Sequence, residues 1–492
     1  MKTLPLAPPF VLCCALLAAC TAVGPDHHIP ATAVPAGWQD WHGGAPELRA
    51  TALSAAGTQA YARFDDPVLR GLLRRALDAN ADLRTAELRF AQSRVQRAVA
   101  AAGNGPRVDA QAGATRQRQS ETGTATRMLD ALAPRENRAA LIDVLAAPFD
   151  VYQAGFDASW EPDLWGRVRR SIEAADADAA QAQALLRDAS LTVAVEVARN
   201  YHELRAARLQ LRLAREDVTA AEELLQLAQA RSHGGLGTDL DVVRQQALVA
   251  ELRGALPGLQ EQEAQAENRL SLLLGVAPGA LHAELAVPSD ADTPGAVLDL
   301  ALGIPADLLT RRPDIAAAEA ALHAATARIG IARADLYPRI VLGASFGTES
   351  TAGGRFGEWG SRQWSIGPTL SLPLFDRGVR RATVQLRELD QQQAAVAWQH
   401  TVLRAWHEVD DALSAYAAEW QRHEQWRQRE DAARTALELA MVRWRGGLSD
   451  ALPLLDAQRT MLAARRARVQ SEAALTLRLL AICKATAVMP EA

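Results

Sequence analysis

RVRRSIEAADADAAQAQALLRDASLTVAVEVARNYHELRAARLQLRLAREDVTAAEELLQLAQARSH, from Arg167 to His233, runs for 67 residues without a glycine or a proline. VRRATVQLRELDQQQAAVAWQHTVLRAWHEVDDALSAYAAEWQRHEQWRQREDAARTALELAMVRWR, from Val379 to Arg445, is a second such stretch of the same length. Each follows a glycine, Gly166 or Gly378, and each ends at Gly-Gly-Leu, Gly234-Gly235-Leu236 or Gly446-Gly447-Leu448. The shift from Arg167 to Val379 equals the shift from His233 to Arg445. Filled with alanine, leucine, arginine, glutamate and glutamine, the two stretches predict helices of roughly 100 Å at 1.5 Å per residue. That is about three times the hydrocarbon thickness of a bilayer.

The resemblance between the two halves continues outward. Asp82, Ala86, Glu87, Pro106 and Arg107 meet Asp314, Ala318, Glu319, Pro338 and Arg339 at a constant shift, larger than that of the long stretches. Past the Gly-Gly-Leu turns, Leu240, Val243 and Gln246 meet Leu452, Leu455 and Gln458 at the same shift as the long stretches themselves. The chain therefore reads as an internal duplication. Each half runs helix, Pro-Arg, segment, loop, segment, long helix, tight turn, helix. The difference between the two shifts means extra residues in the first half. They fall in the mixed polar stretch Gln119–Ala147, expected as a long loop, against the shorter Gly-rich Thr348–Arg362.

The segments between Pro-Arg and the long helices alternate with period two. Val108, Ala110, Ala112 and Ala114 share one face, as do Phe156, Ala158 and Trp160, then Ile340, Leu342, Ala344 and Phe346, then Trp364, Ile366 and Leu370. Small and polar residues occupy the other face. Four strands are too few to close a barrel, and their edges would stay open. Three chains would supply 12 strands, within the even numbers found for outer-membrane barrels. Phe149, Phe156, Trp160 and Trp364 are candidates for interfacial aromatic girdles.

The whole chain has 492 residues, 49% hydrophobic, 23% charged and only 5% aromatic, with a formal charge of −5. Mean hydropathy is −0.09. The charge balance gives no electrostatic pull toward nucleic acid. The scarcity of aromatics fits a tube that has walls to pack and no large core. No apolar run reaches the length of a membrane helix, roughly 18 residues or more. The N-terminus reads as an export signal: Met1-Lys2, then the short apolar core Val11–Leu17, then Leu17-Ala18-Ala19-Cys20. With Cys13 and Cys14 removed with the signal and Cys20 lipidated, Cys483 has no disulfide partner.

Enzyme chemistry finds no support. His400 and His407 lie seven apart on the second long helix, with Glu408 and Asp411 near, a loose set for a metal. Asp410-Asp411 reads most simply as a solvated pair. No nucleotide or hydrolase motif follows a credible strand. No cofactor is expected.

The ordered motifs C-T-A-V-G-P-D from Cys20, F-D-D-P-V-L from Phe64, D-A-S-W-E-P-D-L-W-G-R from Asp157, L-L-T-R-R-P-D-I from Leu308, W-S-I-G-P-T-L-S-L-P-L-F-D from Trp364 and L-L-D-A-Q-R from Leu454 resemble the TolC-like outer-membrane efflux proteins. The likeness is to their NodT-type lipoprotein branch and covers nearly all of the mature chain. It implies an α+β membrane protein: a trimeric 12-stranded outer-membrane β-barrel, four strands per chain, continuing into a long periplasmic α-helical barrel. The expected organisation is a signal peptide over residues 1–19, a lipidated linker over 20–60, a first repeat over 61–275, an inter-repeat linker over 276–304 and a second repeat over 305–489. The implied role is the exit duct of a tripartite efflux system. Its partners would be two further copies, outer-membrane lipid, a periplasmic adaptor (membrane fusion) protein and an inner-membrane pump of the resistance-nodulation-division or major facilitator type. Cys20 would carry the lipid, and Thr21 after it favours transfer to the outer membrane. A periplasmic coiled-coil scaffold lipoprotein without channel activity is the alternative; it leaves the paired strands without a purpose.

Candidate site residues fall in two groups. Glycines at the turns supply the backbone conformations of a tight reversal, and Thr238 or Asp239, with Ser449 or Asp450, are candidate caps for the helices that follow. As local features these are helix-hairpin turns; the resemblance assigns Gly235, Leu236, Gly447, Leu448 and Ser449 to adaptor contact. Leu452, Asp456 and Arg459, spaced four and three, share one helix face. Threefold symmetry would make each a ring, and the resemblance places Leu452 and Asp456 at a periplasmic aperture. A leucine ring blocks by dewetting and an aspartate ring favours cations. A solvated or interchain-paired carboxylate is the other reading of Asp456.

Overall fold

The computed structural model of the chain describes residues 22–31, 33, 35, 38, 48–49, 66–124, 126–128, 137–286, 300–301 and 305–488. The signal segment and Cys20 lie outside the described residues. These fall into two compact units, one within Met1–His28, Ser93–Asp178 and Leu322–Gln393, the other within Ile29–Gln92, Ala179–Ala321 and Ala394–Ala492.

The first unit is built on four strands, β1 (Arg107–Gln117), β2 (Phe149–Trp160), β3 (Arg339–Ser350) and β4 (Arg362–Ser371). They pair antiparallel in chain order. The register aligns Ala110, Phe156, Phe346 and Trp364 in one row, and Val108, Ala158, Ala344 and Ile366 in the next. Period two then collects most of the apolar side chains on one face, with Phe149, Val151 and Val341 on the other. On the other, Gln111 donates to Asp157, and the hydroxyls of Ser345 and Ser365 meet at 2.8 Å. Gly155 and Gly347 oppose each other on this polar face. A Cβ on either would stand 2.8 Å from a carbonyl of the neighbouring strand, so the strands approach there only because both residues are glycine. The expected loop Gln119–Ala147 is partly helical, with α3 over Arg138–Ala146; the run of helix formers there overrides the polar surroundings.

An N-terminal segment expected to be linker is docked in this unit. The Val23 amide donates to the Trp165 carbonyl at 3.0 Å. Arg170 reaches the Val23 and Gly24 carbonyls at 3.3 and 3.4 Å and the Asp26 carboxylate at 2.8 Å. Gly24, at φ +104°, lies on Gly330, where a Cβ would be 2.9 Å from the Val23 carbonyl.

In the second unit, α1 (Pro67–Ala79) starts with Asp66 accepting from the Val68 amide at 2.8 Å and proline at its first position, the preferred opening of a helix. Leu69, Leu72 and Leu73 from α1 are buried with Val197 and Tyr201, with Trp398, Trp406 and Tyr416, and with Leu480 and Cys483. The expectation of walls without a large core fails here. Aromatic side chains are scarce in this chain, and several of them are gathered in one place. Arg312, between α6 (Pro305–Arg311) and α7 (Pro313–Ala334), is buried. It binds Asp314 at 2.8 Å, Glu408 at 2.6 Å and the Ala485 carbonyl at 2.9 Å, which accounts for the Arg-Pro-Asp motif and engages Glu408.

In the first half, α2 (Ala81–Ala102) precedes the strands as α7 does in the second. The long helices α4 and α8 have the bounds Arg167–His233 and Val379–Arg445, followed by α5 (Asp239–Leu273) and α9 (Leu452–Ala485). Asp163 accepts from the Val168 and Arg169 amides at 3.0 and 2.8 Å to open α4. Asp376 does the same for α8 through the Gly378 and Arg380 amides at 2.9 and 3.3 Å. No helix among the described residues is long and apolar enough to cross a membrane.

Candidate functional site

The two tight turns close in the same way. At the first, the Leu236 amide donates to the Arg231 carbonyl at 2.8 Å and the Gly235 amide to Ser232 at 3.0 Å. At the second, Leu448 donates to Arg443 at 2.9 Å and Gly447 to Trp444 at 3.1 Å. Both Gly235 and Gly447 have φ +71°. This is the paired 6→1 and 5→2 closure of a Schellman turn, which needs a left-handed residue at the glycine. In such turns the residue after the glycine usually packs its apolar side chain back on the last helical turn. Here the carbonyl it reaches belongs to an arginine, Arg231 or Arg443, and Leu236 and Leu448 are both 73% exposed. Two leucines are thus presented outward by a rigid turn.

The turns lie side by side. The Arg231 guanidinium stands over the Trp444 ring at 4.8 Å, a cation–π contact that sequence reading missed. Trp444 is buried with Ala451 and Leu454. Ser449 is half-buried, and Leu236, Gly235, Gly447 and Leu448 are exposed.

The caps differ. Thr238 and Asp241 form a reciprocal capping box on α5, an arrangement typically worth about 1 kcal/mol. At the second turn the expected caps Ser449 and Asp450 are displaced. Ala451 occupies the cap position and makes no side-chain bond, with Pro453 in the first turn of α9. One extra residue between Leu448 and α9 causes this. Equivalent positions past the turns are therefore one residue farther apart than the starts of the long helices. The buried glutamine that matches Gln458 is Gln245, and not Gln246.

Leu452, Asp456 and Arg459 come together on one exposed face of α9, opposite the buried Leu454, Leu455 and Gln458. Arg459 reaches Glu251 of α5 at 3.5 Å, both exposed. Screening leaves such a pair little energy. Arg465 joins α9 to α4 through Glu216 at 3.1 Å and Asp217 at 3.2 Å. Burial pushes the Asp217 carboxyl upward against the pull of Arg465. Val218, Leu248, Val249, Leu252 and Leu455 pack α4, α5 and α9 together. The face bearing Leu452 and Asp456 is therefore held on a packed hairpin pair.

His400 and His407 are exposed on α8, and no group of three metal-binding side chains converges among the described residues. Asp410 is half-buried and Asp411 exposed.

The sheet presents the other surface of interest. Phe156, Phe346, Trp364 and Ile366 are exposed on its apolar face, Trp364 by 73%. In water, a patch this continuous is a liability; toward hydrocarbon it is required. Trp160, a second candidate girdle residue, lies on the same face two rows from Trp364, at the end of β2, and donates to the Asn104 carbonyl at 3.1 Å. Phe149 is half-buried.

Comparison with known proteins agrees with this geometry. A family model described as "Outer membrane efflux protein" matches residues 72–276 and again 304–488. The chain is 33% identical to outer membrane protein OprJ of Pseudomonas aeruginosa, over 90% of this chain and 88% of that protein. It is 32% identical to the pyoverdine export outer membrane protein OpmQ of Pseudomonas putida, covering 92% of each. The solved structure of the outer-membrane channel OprN superposes with a TM-score of 0.82 at 32% identity, over 94% of this chain and 98% of that one.

Proposed function

Because the chain belongs to the outer membrane efflux protein family and is a TolC-like outer-membrane efflux channel reaching into the periplasm, we propose that three copies close one duct that completes a tripartite exporter. The observation that carries this reading is the sheet: four strands with one apolar exposed face and two outer strands, β1 and β4, unpaired on their far sides among the described residues. Three copies would make a 12-stranded barrel whose apolar rows meet lipid and whose serines, glutamines and aspartates line water. The scaffold alternative leaves that face in water. The repeats over 61–275 and 305–489, joined by the linker 276–304, would each contribute two strands and one tip.

Cys20, following the signal over residues 1–19, would carry the lipid at the head of the N-terminal segment 20–60, whose Val23–Asp26 stretch is docked in the first unit. The tips Gly235, Leu236, Gly447, Leu448 and Ser449 would meet a periplasmic adaptor. Their two exposed leucines on rigid turns support this, since each turn leaves apolar surface that a partner could cover. Leu452, Asp456 and Arg459 would ring the periplasmic aperture. The α4–α5 and α8–α9 hairpins are packed and ion-paired, so opening would move them as rigid bodies, biased by adaptor contact. Energy would come from an inner-membrane pump of the resistance-nodulation-division or major facilitator type. That OpmQ is named for pyoverdine export supports a pump system as the setting.

The test is the state of the chain in outer-membrane fractions. A species three times the monomer mass before boiling, collapsing to monomer on heating, is expected. Recovery only as a soluble monomer would sink the duct reading.

A further inference from the structure

The chain enters its sheet twice, at Gly105-Pro106-Arg107 before β1 and at Tyr337-Pro338-Arg339 before β3, and leaves it twice, after β2 and after β4. Because β2 pairs with β3, the first exit lies on the second entry. There the Trp165 indole donates to the Pro338 carbonyl at 2.7 Å and stacks on Tyr337 at 4.8 Å. Glu161 accepts Arg167 from the start of α4 and Arg339 from the entry, each at 2.7 Å. The Arg167 hydrogen bond, joined by Arg339, holds its carboxyl below the usual carboxylate range.

The other exit and entry hold the same kinds of groups without such a cover. After β4, Leu374 and Phe375 are 88% and 84% exposed. Asp376 pairs with Arg380, at the start of α8, at 3.5 Å. Before β1, Pro106 is exposed and the Arg107 side chain is 78% exposed, at 2.8 Å from its own Asp109. These two places flank the outer strands of the sheet. Strand directions alternate, so β1 of a second copy can continue the antiparallel order beside β4.

Resting on the three-copy reading, we propose that this exit is a socket for the entry of the next copy: Leu374 and Phe375 pack on Gly105 and Pro106 of the neighbouring copy, and Arg107 of that copy pairs with Asp376. The intrachain contact is the template. One carboxylate lies between an arginine at its own helix start and an arginine from a Pro-Arg entry, beside an apolar contact. Charge complementarity sets the register of the joint, since Asp376 would face Arg107 once Phe375 covers Pro106. The apolar contact excludes water from that pair.

Full-length chain with Phe375→Cys and Pro106→Cys together, oxidised in outer membranes, is expected to give covalent dimers and trimers on non-reducing gels, and neither single variant should. Intact trimer without cross-links would overturn the socket and leave the three-copy duct standing; absence of any trimer in the unsubstituted chain would overturn the duct itself. Labelling of Phe375→Cys by a lipid-soluble maleimide in place of cross-linking would make Phe375 a lipid contact and also defeat the proposal. A second pair of variants guards against misfolding of the first. Arg107→Ala should lower the temperature at which the trimer dissociates in detergent, and Asp109→Ala should not. The reverse pattern would tie Arg107 to its own strand and reject the socket.

Discussion

His27 lies with its ring on that of His323, centroids 4.5 Å apart and planes 13° from parallel. Both His27 ring nitrogens are buried. His323 in turn meets Glu173 at 3.0 Å, and Arg170, Asp26 and His28 complete the charged surroundings. Burial first, then the neighbouring His323, holds His27 below the ordinary histidine value. The docked segment thus binds fewer protons than the free one. Docking is undisturbed above about pH 6.5, the free histidine value, and is weakened as pH falls below it, levelling off below the lowered value. A nitroxide at Ala31→Cys should gain mobility between pH 7.5 and 5.5, and His27→Phe, which keeps the stack without the proton, should flatten that response. No pH dependence in the native segment would remove His27 as the cause. Asp456, proposed for the aperture, stands exposed on α9; Asp456→Ala should raise conductance or weaken cation preference in planar bilayers by removing a ring of charge. Unchanged conductance and selectivity would take Asp456 out of the gate.

Among the elements, the long helices were the most legible. Two equal stretches without glycine or proline, each closed by Gly-Gly-Leu, set both ends of α4 and α8, because backbone chemistry at those glycines is local. The strand faces were legible for the same reason, since alternation is a property of the strand itself. The caps were not. Ser449 and Asp450 are good capping residues, yet one extra residue in the second turn carries the cap position to Ala451, and only the path of the chain reveals it. Two variants separate the tips. Thr238→Ala should cost about 1 kcal/mol of local stability, read as faster amide exchange at Asp241 and its neighbours. Ser449→Ala should leave exchange in the first turn of α9 unchanged. Equal effects would contradict the asymmetry. Gly447→Ala should loosen the second tip by about 1–2 kcal/mol, the cost of a Cβ in the left-handed region.

On the scale of the molecule, Cys20 is the point where a lipid would fasten the chain. Cys20→Ser should abolish palmitate labelling of the mature protein; labelling that persists would place the lipid elsewhere. Ala22 and Val23, two and three residues on, already touch Gly166 and Trp165. With at most about 3.6 Å of reach per residue, the lipid could then lie no more than a short span from the first exit of the sheet.

The sequence alone determined what repeats locally: helix lengths, turn glycines, the alternating strand faces and the ordered motifs that resemble the efflux family. Those features depend on neighbours within a few residues, so a linear reading suffices. Tertiary structure decided what depends on distant residues meeting. It buried Arg312 among Asp314, Glu408 and the end of α9. It laid Arg231 over Trp444, docked the Val23–Asp26 stretch on Arg170 and Gly330, and gathered scarce aromatics into one core. It also covered one sheet exit, at Trp165, and left the other bare at Leu374 and Phe375. The halves are alike in sequence, but within the sheet of one chain they meet at β2 and β3, so a contact made once internally is left open at the outer strands.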